Sequence, residues 1–118
     1  MQVKNKEQGM MIVADVLDVI GGRWRGPILA RLCDNPQRFN ELKASLKRIT
    51  SSTLTKELRY LEQIKIVERK VISTNPVVVE YHLSKHGGSI KDLIQSVIAW
   101  GLKHREVVLG KGRKPTKP

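Results

Sequence analysis

Residues 51–64 read Ser-Ser-Thr-Leu-Thr-Lys-Glu-Leu-Arg-Tyr-Leu-Glu-Gln-Ile, and their apolar spacing decides the fold. Leu54, Leu58 and Leu61 recur at helical intervals and Ile64 continues the row, so the segment predicts a helix with one buried side. The opposite side carries Thr55, Lys56, Arg59 and Glu62, while Ser51 and Ser52 stand where a helix start needs its cap. Upstream, Phe39 leads into a shorter helix with Asn40 as its expected cap and Leu42 and Leu46 turned inward. Residues 47–50 are a break of the length that joins two helices in a helix-turn-helix.

Working outward, Val13, Val16, Leu17 and Ile20 give a first helix that Gly21-Gly22 terminates. Ile28, Leu29 and Leu32 mark a second, in which Pro27 is tolerated only in the first turn, and Asp34-Asn35-Pro36 closes it. After residue 64 the period changes. The β-branched runs 66–72 and 77–83 flank Ser73-Thr74-Asn75-Pro76, which predicts a hairpin with a polar tip. Ser84 is placed to cap a last helix reaching about residue 105. Its apolar positions, Ile90, Leu93, Ile94, Val97, Ile98, Gly101 and Leu102, fill two adjoining stripes. That is more than one side of a small domain covers, and it points to a partner surface.

In order, these elements describe an α+β, mostly α architecture: a winged helix-turn-helix with a β-hairpin wing and long terminal helices. Residues 1–110 form the expected domain and 111–118, Lys-Gly-Arg-Lys-Pro-Thr-Lys-Pro, a disordered basic tail.

The charge suits such a protein. The 118 residues hold 22 Lys and Arg against 11 Asp and Glu, a net +11, which attracts polyanions. Residues 13–22 carry only Asp15 and Asp18, whereas 23–50 hold seven basic residues and two acids. A single cysteine, Cys33, excludes an intrachain disulfide or a cysteine metal cluster, and its place on an apolar helix suits a buried, inert thiol. Trp24 and Trp100 suit anchors of a core or interface. His82, His86 and His104 have no partners at metal-ligand spacing, so no metal or other cofactor is expected. No nucleophile–base pair or phosphate loop can be assembled, which sets an enzyme aside. With no apolar run of membrane length and no signal-peptide pattern, a cytoplasmic location without membrane association is expected.

Candidate DNA contacts follow from groove geometry. Ser51, Ser52 and Thr53 are short polar residues at the start of the recognition helix, where backbone N–H groups also favour phosphate. Thr55, Lys56 and Arg59 lie one turn on, within reach of base edges. Arg38, Lys43, Lys47 and Arg48 are placed to hold the phosphate backbone, and Lys70 with Ser73 and Asn75 would form the contacting wing. An ordinary amphipathic surface helix, with Arg59 paired to Glu62, is the plainer account of the same residues. A sequence-independent nucleic-acid binder is the alternative function that the charge allows. RNA-stacking sheets need exposed aromatics, and Phe39 is the only Phe.

Four ordered stretches resemble one family. Asp18-Val19-Ile20-Gly21-Gly22-Arg23-Trp24 is similar to the "D-x-I-G-G-K-W" of HxlR-type helix-turn-helix regulators, relatives of the MarR group. Arg38-Phe39-Asn40-Glu41-Leu42 resembles their "R-F-N-E-L", and Ile49-Thr50-Ser51-Ser52-Thr53-Leu54-Thr55-Lys56-Glu57-Leu58-Arg59-Tyr60-Leu61-Glu62 their "I-S-x-x-x-L-T-x-x-L-R-x-L-E". Val79-Glu80-Tyr81-His82-Leu83-Ser84 resembles "V-E-Y-x-L-T". The resemblance spans about residues 10–105. It implies a homodimeric regulator of double-stranded DNA whose first and last helices build the dimer interface, here through Val13, Val16, Leu17, Ile94, Val97, Ile98, Gly101 and Leu102. The family often carries a redox-sensing cysteine before the first helix; Met11 stands near that position and is not a thiol. No small-molecule effector is identified by these residues.

Overall fold

The computed structural model describes residues 2–110; the expected basic tail, 111–118, lies outside the described residues. The order is α1 (Lys6–Ile20), α2 (Arg25–Asp34), β1 (Gln37–Arg38), α3 (Phe39–Leu46), α4 (Ser51–Gln63), β2 (Val67–Thr74), β3 (Val77–Leu83) and α5 (Ile90–Leu109), with a 3-10 turn at Gly87–Ser89 before α5. This is the winged helix-turn-helix that the sequence describes.

Each helix boundary has a local cause. Asn5 caps α1 by accepting from the Gln8 N–H at 2.8 Å. At the other end the chain leaves through Gly22, whose φ of +69° is a left-handed conformation that glycine adopts without steric cost. Pro27 falls in the first turn of α2, where a missing N–H costs nothing.

Two expected caps are displaced. Asn40 is the second residue of α3; the Glu41 carboxylate instead holds the helix start by accepting from the Arg38 N–H at 2.7 Å. Thr50, one residue before the two serines, caps α4 by accepting from the Thr53 N–H at 3.1 Å. Ser84 is also a cap, but of the 3-10 turn: its hydroxyl accepts from the Gly87 N–H at 2.8 Å and donates to the Lys65 carbonyl at 2.6 Å. Helix α5 therefore starts later than expected, at Ile90, and runs on to Leu109.

The core is built from Ile28, Leu29 and Leu32 of α2, Leu42 of α3, Leu54, Leu58 and Leu61 of α4, and Ile49, Ile66, Val67, Ile90 and Ile94. Full burial of one such side chain contributes ~1.5–3 kcal/mol, which makes the leucine row of α4 a principal anchor of that helix. Trp24, Phe39, Tyr60 and Tyr81 pack against this cluster from its margin.

The sheet is three-stranded and antiparallel, in the order β1-β3-β2. Strand β2 pairs with β3 from Val67↔Leu83 to Thr74↔Val77, with a bulge at Ile72 that leaves one residue of β2 unopposed. The strands thus extend into the expected tip. Strand β1 is the element that sequence reading overlooked: Gln37 faces Tyr81 and Arg38 faces Glu80.

Candidate nucleic-acid interface

Helix α4 presents its polar side as the wall of a shallow groove of about 640 Å³. Ser51, Ser52, Thr55, Lys56 and Arg59 line it, together with Arg25, Tyr60 and Gln63. The first five were expected from the sequence; the last three were not. Among the described residues Lys56 and Arg59 have no acidic partner, and the expected alternative, an Arg59–Glu62 pair, does not form. Thr53 is placed differently from its neighbours. It is half-buried and its hydroxyl accepts from the Thr50 hydroxyl at 3.0 Å, so it braces the helix start and stays out of the groove lining.

The phosphate-facing candidates divide between two depressions. Lys43 and Lys47 line one on α3 with Asn40 and Ala44. Arg48 and Lys47 line a second, of about 420 Å³, with Arg23, Trp24, Pro27, Ser45 and Leu46. Lys47 ends α3 at a φ of 62°, its N–H donating to the Lys43 carbonyl at 3.0 Å, and this sharp exit redirects the chain into the turn before α4. Arg38 is exposed on β1. On the wing Lys70 and Asn75 are exposed and Ser73 is half-buried; the Lys70 ammonium lies 3.9 Å from Glu68, a loose pair that water screens.

The groove owes much of its shape to Arg25. Its Nε–H donates to Glu57 Oε2 at 2.7 Å, an Nη donates to the Asp18 carbonyl at 2.6 Å, and its guanidinium lies 3.8 Å from the Tyr60 ring centroid. Glu57 is thereby paired, so its charge is balanced within the fold, while Lys56 and Arg59 stay exposed on the same helix. No local pattern announces a pair separated by 32 residues.

The terminal helices leave a broad apolar surface open. On α1, Met10 is 72% exposed, Val13 58% and Leu17 56%; Val16 is half-buried. On α5, Val97, Ile98 and Leu102 are each about half exposed and Trp100 is 67% exposed, stacked on His104 at 4.9 Å. Ile94 departs from expectation: at 5% exposure it packs into the chain's own core, because the inward stripe of α5 continues from Ile90 through it. It is not available to a partner, and Gly101 lies half-buried at the edge of the open face.

Cys33 is half-buried, and burial, with a smaller push from Asp34 against the pull of Lys91, raises its thiol pKa above the usual range. A thiol so placed is a weak nucleophile at neutral pH. Met11 is exposed on α1. No helix among the described residues is long and apolar enough to cross a membrane.

A family model described as HxlR-like helix-turn-helix matches residues 19–108. The uncharacterized HTH-type transcriptional regulator YtcD of Bacillus subtilis is 37% identical over 105 residues, covering 89% of this chain and 83% of the relative. The HTH-type transcriptional regulator YodB of the same organism is 38% identical over 82 residues, 70% of this chain and 73% of YodB. Among solved structures, the redox regulator HypR in its reduced form superposes with a TM-score of 0.78 at 37% identity, over 82% of this chain and 96% of that one. A MarR-family regulator from Enterococcus faecalis gives 0.74 at 28% identity, over 92% and 96%.

Proposed function

The chain belongs to the HxlR-like helix-turn-helix family and is a transcriptional regulator with a DNA-binding fold; from that premise we propose that it reads a specific operator as a homodimer. One observation carries the reading of sequence: the exposed side of α4 offers Ser51, Ser52, Thr55, Lys56 and Arg59 in one groove, with the charge of Glu57 balanced by Arg25. Arginine and lysine hydrogen-bond guanine edges, and threonine meets the thymine methyl. Arg38, Lys43, Lys47 and Arg48 hold the backbone and fix register, and the wing with Lys70, Ser73 and Asn75 lies along the adjacent groove. Thr53 acts through the helix start, not by contact.

Dimerisation is supported by the open apolar surfaces of α1 and α5, too extensive to be left in water on a small domain. Val13, Val16, Leu17, Val97, Ile98 and Leu102, with Gly101 at the margin, form the proposed interface. Two-fold symmetry then demands a pseudo-palindromic operator with half-sites ~34 Å, or ~10 bp, apart.

A sequence-independent mode is the second reading, favoured by the net charge of +11. Fluorescence anisotropy on DNA upstream of the protein's own gene and on a scrambled duplex, across a salt series, separates the two. A specific regulator prefers one duplex by ~10³-fold or more at physiological salt. Should genome-wide selection also return no preferred fragment, with affinity falling equally on every duplex as salt rises, binding is counterion release alone and the specific reading fails.

A further inference from the structure

Arg25 lies outside the helix-turn-helix, at the first position of α2, yet three elements meet on its side chain. Asp18, whose carbonyl accepts from one Nη, is in the last turn of α1, among the carbonyls with no partner inside their own helix. Glu57 and Tyr60, which hold Nε and the guanidinium face, are three residues apart on α4 and so lie on the same side of that helix. The side chains of Arg25 and Glu57 are 26% and 16% exposed, which limits screening of the pair. Arginine alone suits this place. Its planar fork bonds two acceptors in different directions while its face stacks on an aromatic ring, and a lysine ammonium has neither plane nor fork.

Arg25 also lines the groove beside Ser51, Ser52, Thr55 and Arg59. The end of α1, a helix whose other side is the open apolar face, is therefore bonded through one residue to the helix that faces DNA.

We infer that Arg25 is a positioning residue for DNA reading: it sets the placement of α4 against the end of α1, so that a shift of α1 on the dimer face is carried to the reading side chains. The inference rests on the function proposed above, in which α4 reads the operator and α1 joins two copies. Energetic coupling of this kind requires a physical element that both sites bias, and the bonded chain α1–Arg25–α4 is such an element.

The test uses the full chain and, as probe, the tightest duplex that the wild-type protein selects from a random pool, with a scrambled duplex as control. Arg25→Gln and Arg25→Lys should each weaken binding to the selected duplex about tenfold or more, the range of a lost base-reading contact. Binding to the scrambled duplex and the slope of affinity against salt should stay within about twofold, because no phosphate contact is removed. Tyr60→Leu keeps an apolar body against the core but removes the aromatic face and its hydroxyl, and should show the same selective loss at a thermal midpoint close to wild type. Arg25→Gln combined with Glu57→Gln should be non-additive, as partners in one network are. In the free protein, hydrogen exchange should speed up together in the last turn of α1 and along α4 in Arg25→Gln.

Equal weakening on both duplexes with a shallower salt slope would make Arg25 a phosphate contact and overturn the inference. So would undiminished discrimination, or a loss that merely tracks a fall in thermal midpoint. If the wild-type protein prefers no duplex over the scrambled one, the reading of a specific regulator fails by itself. The positioning role is then decided by exchange, and unchanged rates at α1 and α4 in Arg25→Gln reject it.

Discussion

Gly87 passes Ile66 so closely that a Cβ on Gly87 would lie 2.0 Å from the Ile66 carbonyl oxygen. That carbonyl also accepts from the Ser84 N–H at 2.9 Å, so the entry to β2 and the turn before α5 are closed against each other by backbone contact, with the Ser84 hydroxyl bridging beside it. Gly87→Ala must push these segments apart and is expected to destabilise the protein by about 1–3 kcal/mol, the cost of overpacking. Urea unfolding followed by circular dichroism checks this, and a midpoint equal to wild type would contradict it.

Thr50 stands before the serines yet caps α4. Thr50→Ala should lower stability by ~1 kcal/mol, and Thr50→Ser, which keeps the accepting oxygen, should restore most of it. Ser51→Ala, lacking a cap role, should leave the unfolding midpoint almost unchanged. The reverse order of effects would return the cap to the serines.

Arg59 is exposed and has no acidic partner among the described residues, so Arg59→Ala should leave stability within ~0.5 kcal/mol. On the operator the same change should cost ~1–3 kcal/mol and relax preference at one base position. Lys43→Ala should instead weaken all duplexes alike and reduce the salt slope by ~1. Competition binding with single-base operator variants distinguishes the two behaviours.

Val97 is 46% exposed in the single chain, so an acidic residue there disturbs little within the chain itself. Val97→Asp should leave the helical signal intact while shifting the mass in solution from dimer to monomer, measured by light scattering. A dimer that survives unchanged would remove α5 from the proposed interface.

The last eight residues carry four basic side chains and no acid. Removing 111–118 should lower affinity and flatten the salt dependence without altering which operator is chosen. A changed preference would mean the tail reads bases.

What was legible in the sequence and what was not divides along a physical line. Periodicity reports which side of an element is buried, so the leucines of α4, the hairpin and the double stripe of α5 could be read directly. Cap assignment depends on where the backbone leaves helical geometry, and neighbouring Thr50, Ser51 and Ser52 are chemically equivalent until that point is known. Ile94 belonged to the wide stripe by spacing, but only packing shows which part of it the chain itself covers. Strand β1 is two residues long and carries no period at all. Arg25 looked like one basic residue among seven, because its partners Glu57 and Tyr60 are brought to it by the tertiary fold. The groove-lining residues of α4 were legible for the opposite reason: Ser51, Ser52, Thr55, Lys56 and Arg59 are polar and lie within nine positions of one another on a single helix.

Strand β1 has a mechanical consequence. Gln37 and Arg38 run straight into α3 while pairing with Tyr81 and Glu80 on the central strand of the wing. The hairpin is therefore stitched near its base to the segment that launches the helix-turn-helix, a link that ties the spacing of the two together. If the proposed operator binding holds, a duplex whose grooves differ in width or spacing would meet a wing and a helix-turn-helix that are tied together. Part of the distortion would then fall on the nucleic acid, whose stiffness varies with its bases, and positions that no side chain touches would contribute to which operator is accepted.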